Sequence, residues 1–109
     1  MTVVAIYGFS GQYSGVSEYD WNHPEVGARH KCMLFLRQES DSGQFESAMA
    51  ECGRYGFESI ENMRFGMLSV DALNTDRYRG FSGFYEGALS AGSTLVFYPN
   101  EGQSDGSAA

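Results

Sequence analysis

Cys32-Met33-Leu34-Phe35-Leu36 is an unbroken apolar run with Lys31 and Arg37 at its ends. It is too short to cross a bilayer and has the length of a strand buried on both faces. Glu39-Ser40-Asp41-Ser42-Gly43 then supplies turn residues, and Asp41 with Gln44 three places on fits a capping box opening a helix. Phe45, Ala48, Met49 and Cys52 follow at helical spacing as one apolar stripe, with Glu46, Glu51 and Arg54 off it. Gly53 and Gly56 each offer a left-handed stop, which ends the helix near Arg54. From Phe57 to Val70 the pattern returns to strand, with Ile60, Met63, Phe65, Met67, Leu68 and Val70 as its apolar members. A strand–helix–strand unit of this length, Arg29 to Val70, is expected to hold its strands parallel through a right-handed crossover.

The flanks add further elements. Thr2 to Tyr7 reads as a first strand from its β-branched content. Gly8 to Ala28 reads as a long connection rich in Gly, Ser, Asn and Pro that carries Tyr13, Tyr19 and Trp21. Ser69 to Thr75 is a helix start or a turn, and Asp76 to Ala91 has aromatic and aliphatic residues three to four apart. Gly80, Gly83 and Gly87 weaken that helix by about 1 kcal/mol each, unless they mark a face lying close against a sheet. Thr94 to Tyr98 is a last strand stopped by Pro99. The order predicts a single α+β domain over residues 1–98, a two-layer sandwich of about four strands in a mixed sheet with two helices on one face, loosely ferredoxin-like. Residues 99–109 are small, polar and acidic, and read as a disordered tail.

Charge sharpens this picture. The net charge is −7, yet all seven basic residues fall between positions 29 and 79, leaving both ends acidic. Direct nucleic-acid binding is disfavoured, because phosphate attraction needs clustered Lys and Arg. The N-terminus has no positive stretch and only a short apolar run, so it reads as a strand and not as a signal peptide. Cys32 and Cys52 each sit at a core-like position and read as packed thiols, which suits a cytoplasmic protein. No membrane association is expected.

One internal similarity stands out. Gly8-Phe9-Ser10-Gly11-Gln12-Tyr13-Ser14-Gly15 and Gly80-Phe81-Ser82-Gly83-Phe84-Tyr85-Glu86-Gly87 agree at six of eight positions, while their flanks do not match. The bland reading is two glycine-permitted turns with a Phe and a Tyr packed inward. The functional reading joins Gly8, Ser10 and Gly11 with Gly80, Ser82 and Gly83 into one pocket, where Arg77 and Arg79 hold an anionic metabolite. The segments match neither a P-loop nor a dinucleotide fingerprint.

Other chemistry has little support. Asp20, His23, His30 and Cys32 lack the spacing of a metal site, and no metal or cofactor is expected. Ser10 or Ser82 with His23 or His30 lacks a Gly-x-Ser-x-Gly elbow, and Glu58 with Glu61 reads as a solvated edge, so an enzyme is the less favoured reading. The leading expectation is a protein-binding module of inhibitor, immunity or phage-blocker kind, docking on a basic surface of another protein. Tyr13, Tyr19 and Trp21 are its expected anchors, with Glu18, Asp20 and Glu25 steering the approach. The alternatives are the anionic-ligand module and a homo-oligomer pairing an exposed sheet edge.

Overall fold

Strand β1 (Val3–Tyr13) pairs with β2 (Arg29–Gln38), helix α1 (Phe45–Arg54) leads into β3 (Phe57–Met67), and a 3-10 turn (Arg79–Phe81) opens α2 (Ser82–Ala91) before β4 (Ser93–Tyr98). This computed structural model describes residues 2–21, 23–67 and 79–98. The four strands make one sheet in the order β3-β1-β2-β4, and every neighbouring pair is antiparallel. The arrangement is α+β, as expected. The sheet is antiparallel throughout instead of mixed. β2 and β3 do run in the same direction, but β1 lies between them, so the crossover spans one strand and creates no parallel ladder.

The helices do not share a face. Ala5, Tyr7, Phe9, Cys32 and Leu34 pack with Ala48 and Cys52 of α1, whereas Val4, Ile6, Met33 and Phe35 pack with Ala88, Phe84 and Leu89 of α2. Successive side chains of a strand point to opposite faces, so β1 and β2 feed two cores, one on each side. The result is three layers, helix on sheet on helix, and not the expected two. The reason lies in the run Cys32–Leu36: with no polar position in it, both faces must be covered, and each helix covers one.

β1 is longer than its β-branched start indicates. It continues through Gly8 to Tyr13 because strands on both sides satisfy its backbone, pairing Phe9 with Cys32 and Gly11 with His30 on one side and Gly8 with Arg64 on the other. The long connection is therefore Ser14–Ala28. The capping box does not form either. Gln44 is the helix N-cap without a side-chain bond of its own; its N–H donates to the buried Tyr7 hydroxyl at 2.8 Å. That hydroxyl donates to Gln38 Oε1 at 2.8 Å, and the Gln38 amide donates to the Ser42 carbonyl at 2.8 Å. A core tyrosine and a buried amide thus order the turn into α1, satisfying groups that would otherwise be orphaned.

Leu68 to Val70, the segment from Ser69 to Thr75, residues 76–78 and the tail from Pro99 lie outside the described residues. Of the three glycines near α2, only Gly87 makes the close approach: a Cβ there would come within 2.7 Å of Thr94 Cγ2.

Candidate docking site

The loop Ser14–Ala28 closes the end of the α1 face that the helix leaves open. Ser14 N–H donates to the Gly56 carbonyl and Glu18 N–H to the Arg54 carbonyl, at 2.7 and 2.8 Å. The Trp21 indole N–H donates to the Tyr55 carbonyl at 3.0 Å. Its ring meets Tyr13, Tyr55 and Phe97 edge-on, at centroid distances of 6.2, 5.3 and 6.0 Å. Such contacts orient aromatic rings as well as bury them. Trp21 is half-buried, part scaffold and part surface.

That surface is one wall of a groove of about 620 Å³ running along the outer edge of β4. Trp21, Tyr55, Leu95 and Phe97 line the side belonging to α1, and Phe84, Thr94 and Val96 the side belonging to α2. Among the described residues the lining is mostly apolar and none of it is charged. A concave apolar surface of this size is what small ligands and peptide segments occupy.

The two edges of the sheet are built differently. β3 carries Glu58, Glu61 and Arg64, and its pairing with β1 shifts register twice. Ser59 and Asn62, with φ of 52° and 58°, stand at those two shifts. Charges and bulges are the usual protection of an exposed edge against pairing with another chain. β4, Ser93-Thr-Leu-Val-Phe-Tyr98, has no charged residue and no register shift against β2. Among the described residues it is the unguarded edge.

A polar cluster braces the groove at the start of β4. Glu51 Oε2 accepts from the Tyr19 hydroxyl at 2.7 Å and from the Ser93 hydroxyl at 2.5 Å, and Ser93 Oγ lies 2.9 Å from the Tyr55 hydroxyl. Arg54 reaches Glu51 at 3.4 Å and Glu18 at 3.3 Å, and its guanidinium sits 4.9 Å from the Tyr19 ring centroid. Burial and the Glu51 carboxylate push the Tyr19 phenol up to about 12, and burial chiefly raises the Tyr55 phenol. Both hydroxyls therefore stay protonated at neutral pH and serve as hydrogen-bonding groups in this cluster.

The expected anchors divide on inspection. Tyr13 is 2% exposed and stacks on His23 at 4.9 Å, so it belongs to the core and offers no contact surface. Tyr19 and Trp21 pack partly against that core. Glu18, Asp20 and Glu25 are exposed on the loop. The loop's free apolar surface comes from Val16 and Val26, 79% and 65% exposed.

The two Gly-Phe-Ser-Gly segments take different local structures. Gly8–Gly11 lies within β1, while Gly80–Gly83 spans the 3-10 turn and the start of α2. Phe9 packs in the α1 core and Phe81 in the α2 core. Arg77 lies outside the described residues, and Arg79 opens the 3-10 turn. Gly8 and Ser10 instead line a second groove of about 420 Å³ with Lys31, Asn62, Arg64 and Tyr98.

His30 is 6% exposed, its Nδ1 3.1 Å from the Tyr98 carbonyl. Cys32 and Cys52 are buried free thiols. Among the described residues no three His, Cys, Asp or Glu side chains gather closely enough to hold a metal ion, and no helix is long and apolar enough to cross a membrane.

Tyr55, Phe84, Leu95 and Phe97 are the site residues that reading the sequence misses. One signal was available: a short final strand without charge is a natural edge strand, and an edge without charge is a natural interface. Comparison with family models, with curated proteins and with solved structures finds no match.

Proposed function

We propose that this protein is a binding module for another protein, of inhibitor or immunity type, and that it takes a cationic partner. The observation that carries the reading is the groove along β4, uncharged among the described residues, beside a loop that presents Glu18, Asp20 and Glu25 with the exposed Val16 and Val26. Interfaces combine an apolar, aromatic centre with a polar rim in this way. The net charge of −7 draws a basic partner into encounter from a distance. Trp21 and Tyr19 take part from the groove wall and loop base, with Tyr13 packed against Trp21 and Tyr55 against Tyr19.

Immobilised protein, exposed to lysate of its source, tests this. The expected result is capture of a basic protein that 0.5 M salt (roughly a 4 Å screening length) releases and that the doubly neutralised Asp20→Asn, Glu25→Gln variant holds at least tenfold more weakly. Capture indifferent to both salt and charge overturns the reading.

A second reading follows from the smaller groove, where Lys31 and Arg64 converge on Gly8 and Ser10. Two cations on one sheet face of an acidic protein suit an anionic small molecule. It predicts that inorganic phosphate shifts the backbone resonances of Gly8 and Ser10, and that Arg64→Gln abolishes the shift.

A further inference from the structure

We infer that the partner is taken by strand addition: an extended apolar segment of another protein, flanked by lysine or arginine, pairs with the outer edge of β4. This rests on the protein-binding reading above and gives it a mode and a ligand chemistry.

The backbone supplies the first argument. Arg37 N–H donates to the Gly92 carbonyl at 2.9 Å, and the β2–β4 register continues residue for residue, from Leu36 opposite Ser93 to Lys31 opposite Tyr98. Antiparallel ladders alternate bonded and non-bonded pairs. Thr94, Val96 and Tyr98 therefore turn their N–H and C=O groups to β2, while those of Ser93, Leu95 and Phe97 point away from the sheet. No described strand pairs with these outward groups, and they are the template that an added strand completes.

The side chains supply the second. An added strand projects alternate residues to the two faces. On one face they meet the wall made by Trp21, Tyr55 and Phe97, on the other Phe84 and Val96. The groove thus has apolar subsites on both sides of the open ladder, as strand-addition sites require for specificity.

Charge selects the occupant. On the α1 side the exposed Asp20 directly precedes Trp21, and Glu51 accepts from Ser93 at the start of β4, with Glu51 and Glu18 sharing the single charge of Arg54. Cationic flanks on the incoming segment complement these carboxylates. A second copy of this chain brings another −7 to the same place, and like charges oppose that pairing. The guarded β3 edge, with its bulges and charges, is no competing template.

The test uses the full-length protein and two synthetic peptides of about eight residues, matched to the length of an ordinary strand. Both have a valine–threonine–phenylalanine centre; one has lysine pairs at its ends, the other glutamate pairs. Two signals are read: the emission of Trp21, the single tryptophan, and residue-by-residue amide exchange along β4. The expected result is that the lysine-flanked peptide shifts Trp21 emission and slows exchange at Leu95 and Phe97 at least tenfold, with little change at Thr94 and Val96. The glutamate-flanked peptide binds at least tenfold more weakly. Binding without protection at Leu95 and Phe97 overturns strand addition, as does failure of the lysine-flanked peptide to bind at millimolar concentration. Salt-sensitive capture of a basic protein still supports the wider reading in either case. Equal binding of the two peptides overturns the cationic occupant. Protection of Leu95 and Phe97 that appears without peptide, grows with protein concentration and accompanies a doubled mass in sedimentation overturns it in favour of a second copy.

Discussion

Trp21 is tied to Tyr55 twice, by a 3.0 Å bond from its indole N–H to the Tyr55 carbonyl and by an edge-on ring contact at 5.3 Å. Tyr55 is the C-cap residue of α1, and its own N–H already bonds back to the helix at Glu51 and Cys52. A loop whose described residues form neither helix nor strand is therefore fastened to the end of a helix, and one wall of the β4 groove is fixed by that attachment.

Trp21→Ala is expected to destabilise the fold by about 2 kcal/mol, below the range for deleting a fully buried aromatic because Trp21 is half-buried. Trp21→Phe keeps most of the ring contacts and loses the bond to the Tyr55 carbonyl, at about 1 kcal/mol. Urea unfolding followed by far-ultraviolet circular dichroism measures both, since the variants lack the tryptophan signal. Equal losses in the two variants would show that the bond, and not the packing, fastens the loop.

Gly53 and Gly56 lie three residues apart and are expected to respond oppositely to alanine. A Cβ at Gly56 would sit 2.5 Å from Tyr13 Cε1, on a backbone with φ of +104°. Both strain and overlap oppose it, and Gly56→Ala is expected to lose about 2–4 kcal/mol. Gly53 lies inside α1 with nothing within 4 Å of the same position. Gly53→Ala is expected to gain about 0.5 kcal/mol from helix propensity and a less flexible unfolded chain. Thermal unfolding of the two variants beside the wild type checks the signs.

How far the sequence reveals this fold depends on the range over which each feature is decided. The apolar run Cys32–Leu36 and the stripe Phe45, Ala48, Met49, Cys52 are local, and strand and helix fall where those patterns put them. The same run also stated that both faces of β2 are covered, which is incompatible with two helices on one face; the three-layer arrangement was legible there. Gly8 to Tyr13 looks like loop because its glycines have low strand propensity, and only the partners on both sides of β1 overrule that. Identical Gly-Phe-Ser-Gly stretches become strand in one place and helix start in the other for the same reason. The groove is hidden from any linear reading, since Trp21, Tyr55, Phe84 and Phe97 come from four separate elements. Tyr13 and Trp21 show why aromatic residues in a loop are ambiguous: the first is core, and the second is both core and surface.

Glu51 accepts from Tyr19 and Ser93 and pairs with Arg54, so its removal orphans several groups at once. Glu51→Ala is expected to cost about 2 kcal/mol, because buried hydroxyls left without an acceptor lose their water without replacement. Glu51→Gln retains an oxygen acceptor and is expected to lose about half as much. Two double-mutant cycles, Glu51→Gln with Ser93→Ala and Glu51→Gln with Tyr19→Phe, separate the contributions. A coupling energy near zero in both would show that the carboxylate acts alone through Arg54.

The Tyr19 phenol gives this cluster an alkaline limit. In the folded protein it is pushed up to about 12, first by burial and next by the hydroxyl's bond to Glu51, from an ordinary value of 10.0. A raised value means that the unfolded chain gives up this proton first as pH rises. Below about pH 10 both states hold it, and the favourable interaction is fully present. Between about pH 10 and 12 the unfolded state ionises while the folded state resists, so stability falls as pH rises. Tyr55, also raised, adds to the same slope. The expected outcome is a wild-type unfolding free energy that drops across this window and a shallower drop in Tyr19→Phe, which has no phenol to ionise. Urea titrations at several pH values from 8 to 12 (bracketing the roughly 10 of a free phenol) measure it. Parallel curves for the two proteins would show that the Tyr19 hydroxyl does not carry the effect, and that the bond to Glu51 leaves its ionisation unchanged on folding.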